Sequence, residues 1–260
     1  MLISSYILVL FLGLSAGSFI NCFAYRLYKG KTILGRSFCP ACMSKLSWYD
    51  NIPILSFLIL KAKCRYCEKK ISLQYTLIET ITASLFILAF YLSPISQNLM
   101  FAMPEVLILL RNWFLISFMV IIFVMDFNWY VIVDKVSLPA AGIMLVLNLL
   151  LGFSWQNLLL AGIIGAGFFL AQFIISRGKW IGGGDVRLGL LMGFALGYPQ
   201  VLVAMFLAYL LGSIIGVILI IMGRKRRTSK MPFGTFLTIA TIICLFWGHY
   251  LLTFYLNLYK

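Results

Sequence analysis

Only seven of the 260 residues are acidic, against twenty-one Lys and Arg, so each carboxylate stands out. Asp185 follows Gly182-Gly183-Gly184 in the run WIGGGDVRLGLL, where an apolar segment begins. An ionisable group at the edge of a hydrophobic span is costly and marks a functional site by default. The glycines remove side-chain bulk, so a substrate backbone has room to approach. Asp126 ends another apolar run, and Asp134 lies eight residues beyond it. Two carboxylates brought together share a proton, because like charges in close contact do not both ionise easily. One then serves as general base on a water. The other, protonated, polarises a peptide carbonyl and later protonates the leaving amine. This chemistry predicts Asp126 and Asp185 as catalytic residues, with Gly182, Gly183, Gly184 and Asp134 positioning the substrate. The structural alternative for all three aspartates is helix-end capping, and for Asp134 it weighs as much as the functional reading.

Elimination narrows the chemistry. The one histidine, His249, lies near the end of the last apolar run, far from these acids in sequence. A Ser-His-Asp or Cys-His centre beside them is therefore implausible, and an HExxH zinc site is impossible. No phosphate-binding glycine loop or soluble dinucleotide-binding unit is present.

Four of the six cysteines form two pairs, Cys39-x2-Cys42 and Cys64-x2-Cys67, separated by 21 residues. Four thiolates at this spacing can close a tetrahedral structural zinc site. Two redox pairs, or unpaired thiols, are the alternative. A metal would solve a folding problem, since a segment of about fifty residues cannot bury much of a core. Lys63, Arg65, Lys69 and Lys70 would offset the thiolate charge. Asp50, followed by Asn51-Ile52-Pro53, suits a turn or cap. Cys22 and Cys244 lie in apolar runs and read as small buried residues.

These groups must be positioned by membrane helices. The composition is 63% hydrophobic and 11% charged, and the mean hydropathy is +1.03. Long apolar runs broken by short polar stretches define an all-α polytopic membrane protein. About eight transmembrane helices are expected, near residues 2–22, 76–93, 105–125, 137–153, 157–175, 186–197, 200–222 and 235–257. The first lacks a basic leader and reads as an uncleaved span rather than a signal peptide. The sixth is short enough to be tilted or partly re-entrant. Glycines of the fifth and sixth runs suggest close helix packing. The breaks 26–75, 126–136, 176–187 and 223–234 hold ten, one, three and five Lys/Arg, nineteen of the twenty-one. Those breaks are therefore expected on the cytoplasmic face, with both termini outside. The same clustering makes the net charge of +14 topogenic, so the lipid bilayer is an expected partner and nucleic acid is not. The chain divides into a first transmembrane helix (1–25), a cytoplasmic four-cysteine zinc-binding segment (26–75) and a membrane core carrying the acids (76–260).

Several motifs then resemble one family. Gly17-Ser18-Phe19-Ile20-Asn21 with Tyr25-Arg26-Leu27 looks like its N-terminal signature. Cys39-Pro40-x-Cys42, Trp48-Tyr49-Asp50-Asn51-Ile52-Pro53, Cys64-Arg65-x-Cys67 and Glu79 match its cytoplasmic part. Asp126, Gly182-x-Gly184-Asp185 and Pro232-Phe233-Gly234 match its peptidase part. The chain thus resembles the bacterial type IV prepilin leader peptidase/N-methyltransferases, membrane aspartic proteases of the GxGD class akin to presenilin. Departures are Ile132-Val133-Asp134 where the family often has Leu-Pro-Asp, Arg187 where a lysine is usual, and Thr235 where a proline often stands.

The resemblance implies cleavage of the short basic leader from type IV prepilins or pseudopilins at the cytoplasmic boundary of the bacterial inner membrane. It implies next the methylation of the new N-terminus with S-adenosyl-L-methionine, through residues not readable here, and zinc on Cys39, Cys42, Cys64 and Cys67. Three alternatives stay open: a peptidase without methylation, a transporter using the same acids as proton or ion ligands, and a scaffold holding a partner through its zinc module.

Overall fold

The computed structural model describes residues 2–98, 102–224 and 231–258. Four of the five bases expected in the last break (Lys225, Arg226, Arg227 and Lys230) lie outside the described residues. Among the described residues the chain is helical, with two isolated β-bridges and no strand. It forms two compact units, Met1–Glu105 and Val106–Lys260.

The first unit contains α1 (Leu2–Tyr28), the short α2 (Leu55–Ile59), α3 (Leu73–Tyr91) and the short α4 (Pro94–Asn98). Ser72 starts α3 by accepting a hydrogen bond from Gln74 N at 3.2 Å, an N-cap that satisfies one free amide. Helices α1 and α3 approach backbone to backbone. A Cβ at Gly13 would lie 2.6 Å from Ala83 Cα, and one at Gly17 would lie 2.7 Å from Glu79 Cα. Small residues permit such crossings where no hydrophobic effect drives helices together. The cysteine segment fills the interval between α1 and α3, with a single 3-10 turn at Trp48–Asn51.

The second unit holds most of α5 (Met103–Trp129), then α6 (Asp134–Leu150), α7 (Trp155–Ile175), α8 (Gly183–Leu196), α9 (Gln200–Ile221) and α10 (Phe233–Asn257). It is built around α8, which packs on α6, α7, α9 and α10 and has no exposed residue. Of the glycines expected to pack, Gly162, Gly165, Gly189 and Gly193 do so, whereas a Cβ at Gly167 would meet nothing. A Cβ at Gly165 would fall 2.3 Å from Gly189 O, and one at Gly193 would fall 2.4 Å from Ala161 O. The far end of α8 is held by a buried polar knot. Arg111 of α5 donates from Nε to Asn148 Oδ1 at 3.0 Å and from Nη2 to Ala195 O. Asn148 of α6 donates to Phe194 O and Ala195 O. These donors meet carbonyls that the last helical turn leaves without partners, and a cation there also suits the negative end of the helix dipole.

Among the described residues six helices, α1, α3, α5, α7, α9 and α10, are long and apolar enough to cross a membrane. The chain is therefore an α-helical, polytopic integral membrane protein, as its composition predicts. The two remaining apolar runs form shorter helices, α6 with 17 residues and α8 with 14. At ~1.5 Å per residue they fall short of a hydrocarbon core of about 30 Å. For α8 the reason is plain: its apolar surface faces protein on every side, so it needs neither the length nor the exposure of a lipid-facing span.

Candidate active site and candidate metal centre

Asp126 and Asp185 meet at one end of the second unit, where α5 finishes and α8 and α10 begin. Asp126 lies one turn before the end of α5 and is 5% exposed. Its Oδ2 accepts the Thr235 N–H at 2.8 Å, and the Gly234 amide adds a second hydrogen bond. Both donors belong to the first turn of α10, which follows Pro232. The free amides and positive dipole end of a helix N-terminus suit an anion. Gly234 is required by sterics, because a Cβ there would lie 2.9 Å from Asp126 Oδ2 and 2.8 Å from Ile132 Cδ1.

Asp185 stands at the third position of α8 and is 6% exposed. Its Oδ2 accepts the Gly182 N–H at 3.0 Å, the half of a capping box that a glycine N-cap allows. The capping alternative is thus literally present for Asp185, yet it occupies one lone pair of one oxygen. The charge of Asp126 acts on Asp185, so the two carboxyls lie within electrostatic reach of each other. Tyr209 of α9 also feels Asp185. Its ring packs against Phe233, with centroids 4.9 Å apart, and its hydroxyl donates to Gln172 at 2.8 Å.

The three glycines before Asp185 differ in their surroundings. A Cβ at Gly184 would meet Ile132 Cβ at 2.7 Å, one at Gly183 would meet nothing, and one at Gly182 would make only ordinary contact with Asp185. Ile132 therefore wedges between Gly184 in the first turn of α8 and Gly234 in the first turn of α10. Asp134 begins α6 and pairs with Arg187, both side chains substantially exposed. It takes no part in the hydrogen bonds of Asp126 or Asp185. Thr235, Gly234 and Ile132 were not assigned roles from sequence. The Pro232-Phe233-Gly234 motif was visible, but its contact with Asp126 spans 109 residues and leaves no local pattern.

In the first unit the sulfur atoms of Cys39, Cys42, Cys64 and Cys67 all lie within 4.8 Å of one another. Those of Cys39 and Cys67 are 3.9 Å apart, close to the ~3.8 Å edge of a tetrahedron with Zn–S bonds of about 2.3 Å. Each pair sits on the same kind of turn. Cys39 N donates to Ser44 O at 3.0 Å and Cys64 N to Lys69 O at 2.9 Å. Met43 and Glu68, each four residues after the first cysteine of its pair, have φ of 59° and 55°. The Ser44 hydroxyl, with help from the Ser44 backbone, brings the Cys42 thiol down to about 6, toward the thiolate that metals bind. The four cysteines fit a metal ion. Asp50 behaves as the expected cap: it accepts from Ser47 N at 3.2 Å and from Arg65 Nε at 2.8 Å. It thereby ties the 3-10 turn to the second cysteine pair. Cys244 is buried as expected, while Cys22 is half-buried.

The fold and site define a class: polytopic membrane proteins with a buried, interacting aspartate pair at one end of a helical unit and a four-cysteine metal centre. Comparison with known proteins gives the family. Residues 113–217, which include both aspartates, match the type IV leader peptidase family, and residues 11–93, which include the cysteines, match the bacterial peptidase A24 N-terminal domain. The prepilin leader peptidase/N-methyltransferase of Bacillus subtilis (strain 168) is 32% identical, over 95% of this chain and 96% of its own. That of Vibrio cholerae serotype O1 is 33% identical, over 92% of this chain and 96% of its own. That of Legionella pneumophila is 28% identical, over 97% and 94%. No solved structure matches. The chain belongs to the type IV leader peptidase family.

Proposed function

We propose that this chain removes the basic leader from type IV prepilins or pseudopilins and then methylates the new N-terminus. The observation that carries the reading is the buried Asp126–Asp185 pair inside the family-matched stretch. In a pair that shares one proton, the ionised carboxyl takes a proton from water as it attacks the scissile carbonyl. The protonated carboxyl polarises that carbonyl and then gives a proton to the leaving amine as the C–N bond breaks. The amides of Gly234 and Thr235 hold Asp126 in place, and the Gly182 amide holds Asp185. Open space beside Gly183 is room for an extended peptide backbone, with Gly182, Gly184 and Asp134 setting the shape of its entry.

Zinc on Cys39, Cys42, Cys64 and Cys67 is a structural ion in this reading, locking the two cysteine turns together. S-adenosyl-L-methionine is the methyl donor, in keeping with the N-methyltransferase activity in the names of the relatives. The location is the bacterial inner membrane. The nineteen bases in four alternate breaks support a cytoplasmic face for the zinc segment (26–75) and the acids, with both termini outside. Residues 1–25 anchor that segment, and 76–260 form the peptidase core.

The test is leader cleavage by purified Asp126→Asn and Asp185→Asn proteins. Each is expected to lose cleavage by at least ~10³-fold while eluting and melting as the parent does. Cleavage by either variant at near-parental rate would overturn the assignment.

A further inference from the structure

The short helix α2 carries an apolar face with no protein over it. Leu55, Leu58 and Ile59 stand at i, i+3 and i+4, which is one side of a helix, and are 51%, 65% and 66% exposed. On the other side Ser56, Phe57 and Leu60 line a cavity of about 690 Å³ within the first unit. The depth of α2 decides what the outward face meets. Helix α3 has 19 residues. It is therefore ~28 Å long, almost the thickness of a hydrocarbon core of about 30 Å. Its first residue, Leu73, then sits near one edge of that core. Glu79 lies six residues further in, or ~9 Å at about 1.5 Å per residue. Its carboxylate accepts the Ile54 N–H at 2.8 Å. Even leaning back toward the start of α3, that side chain does not span the whole distance. The chain thus enters α2 below the edge of the core, beside two membrane-spanning helices, α1 and α3.

This excursion has a turn built in at each end. Ile54 is held at φ 61°, which a β-branched residue adopts only when its surroundings enforce it, and the bond to Glu79 is such a constraint. Lys61 and Ala62 have φ of 51° and 59° and reverse the chain. Ile71 N then donates to Ala62 O at 2.8 Å, which returns the chain to the level where α3 begins. Lys63 and Lys70 face each other there across a β-bridge, with Lys61 and Lys69 beside them in sequence. All four lysines are exposed, and none pairs with an acid among the described residues. Apolar side chains below and lysines at the edge are the pattern of a helix lying in a bilayer surface, where ammonium groups reach lipid phosphates. We propose that α2 is an in-plane membrane anchor. Leu55, Leu58 and Ile59 lie among acyl chains, and Lys61, Lys63, Lys69 and Lys70 hold the phosphates of anionic phospholipids. The cysteine segment is then fixed to the bilayer between its two spanning helices as well as by them. Lipid backs the cavity wall that Ser56, Phe57 and Leu60 form.

The experiment uses the full chain in nanodiscs of phosphatidylethanolamine and phosphatidylglycerol. Hydroxyl-radical footprinting of the parent protein reads α2 without any substitution. Leu55, Leu58 and Ile59 are expected to be oxidised at least ~5-fold less than the exposed Tyr66 of the second cysteine turn, after correction for intrinsic reactivity. Oxidation on a par with Tyr66 would overturn the insertion of α2. In parallel, p-benzoylphenylalanine replaces Leu58, the discs are irradiated, and adducts are read by intact mass. The expected product is the chain plus one phospholipid, with phosphatidylglycerol enriched at least ~3-fold over its share of the disc. No lipid adduct, a cross-link to a second copy of the chain, or loss of the adduct when a prepilin is added would each overturn the anchor, the last two in favour of a protein-docking face. The pair Lys61→Gln and Lys63→Gln is expected to abolish the enrichment while the adduct itself persists. Unchanged enrichment would overturn the role of these lysines.

Discussion

Thr235 donates its backbone N–H to Asp126 Oδ2 at 2.8 Å, across 109 residues of chain. The start of α10 is thus part of the setting of the first acid. Gly234, next to it, is the residue that allows α10 to come this close. Gly234→Ala would place a methyl 2.9 Å from the Asp126 oxygen and 2.8 Å from Ile132 Cδ1. The Ile132 methyl is a chain end, but the Asp126 oxygen is held in place by the Thr235 amide at 2.8 Å. The expected outcome is a fall in leader cleavage of at least ~10-fold, since displacements of about 1 Å at a reacting group cost that much or more. Steady-state cleavage of a prepilin by the purified variant checks it.

The glycines before Asp185 should separate by mechanism. At Gly184 a new methyl would meet Ile132 Cβ at 2.7 Å, whereas at Gly183 it would meet open space. Gly184→Ala is therefore expected to destabilise the second unit by about 1–3 kcal/mol, the usual cost of overpacking, and to lower the melting temperature in detergent. Gly183→Ala is expected to leave melting unchanged and to raise KM for the prepilin by filling space reserved for substrate. Melting curves paired with cleavage kinetics on both variants separate the two effects.

Much of this architecture is legible in the sequence, because apolar runs fix where membrane helices lie and CxxC spacing fixes which cysteines converge. The limits are equally physical. Apolar composition does not distinguish a lipid-facing helix from α8, which is apolar because protein surrounds it. The run ending at Asp126 marks where hydrophobicity stops, but α5 continues to Trp129, since helical hydrogen bonding does not end with the apolar stretch. Asp126 and Asp185 were recognisable as a pair because acids are scarce here. Ile132 and Thr235 were not, since an isoleucine in an apolar stretch and a threonine at a helix start carry no distinguishing chemistry. Arg26 and Glu79 stand in motifs shared with the family but carry no role there, and only the fold places both on one cavity of the first unit.

The polar knot at the far end of α8 should be essential to stability rather than to chemistry. Asn148 is fully buried and accepts from Arg111 while donating to Phe194 O and Ala195 O. Asn148→Leu keeps the volume but strips the Arg111 guanidinium of a partner and leaves Phe194 O without its Asn148 donor. A loss of about 3 kcal/mol is expected, read as a lower melting temperature with little change in KM for prepilin. Because this knot grips the opposite end of the helix from Asp185, any loss of cleavage should track loss of folded protein.

Metal removal should split the two proposed activities. The four cysteine sulfurs lie within 4.8 Å of one another in the first unit, whereas Asp126 and Asp185 both lie in the second. Elemental analysis of the purified protein is expected to find about one zinc per chain, matching a closed four-cysteine site. Without the ion, Met43 and Glu68 have less to hold them at positive φ, and Asp50 and Arg65 lose the fixed spacing that lets them pair at 2.8 Å. The cysteine turns should then loosen, because structural zinc supplies folding free energy to segments with little core of their own. Methylation of a pre-cut pilin is expected to fall more than ~10-fold on chelation, since the ion holds together the first unit, whose cysteine turns have little core of their own. Leader cleavage should fall less, because Asp126 and Asp185 belong to a unit with a core of its own. Parallel assays on metal-stripped and zinc-restored protein make the comparison, and equal loss of both activities would mean that the ion supports the peptidase as much as the methyl transfer.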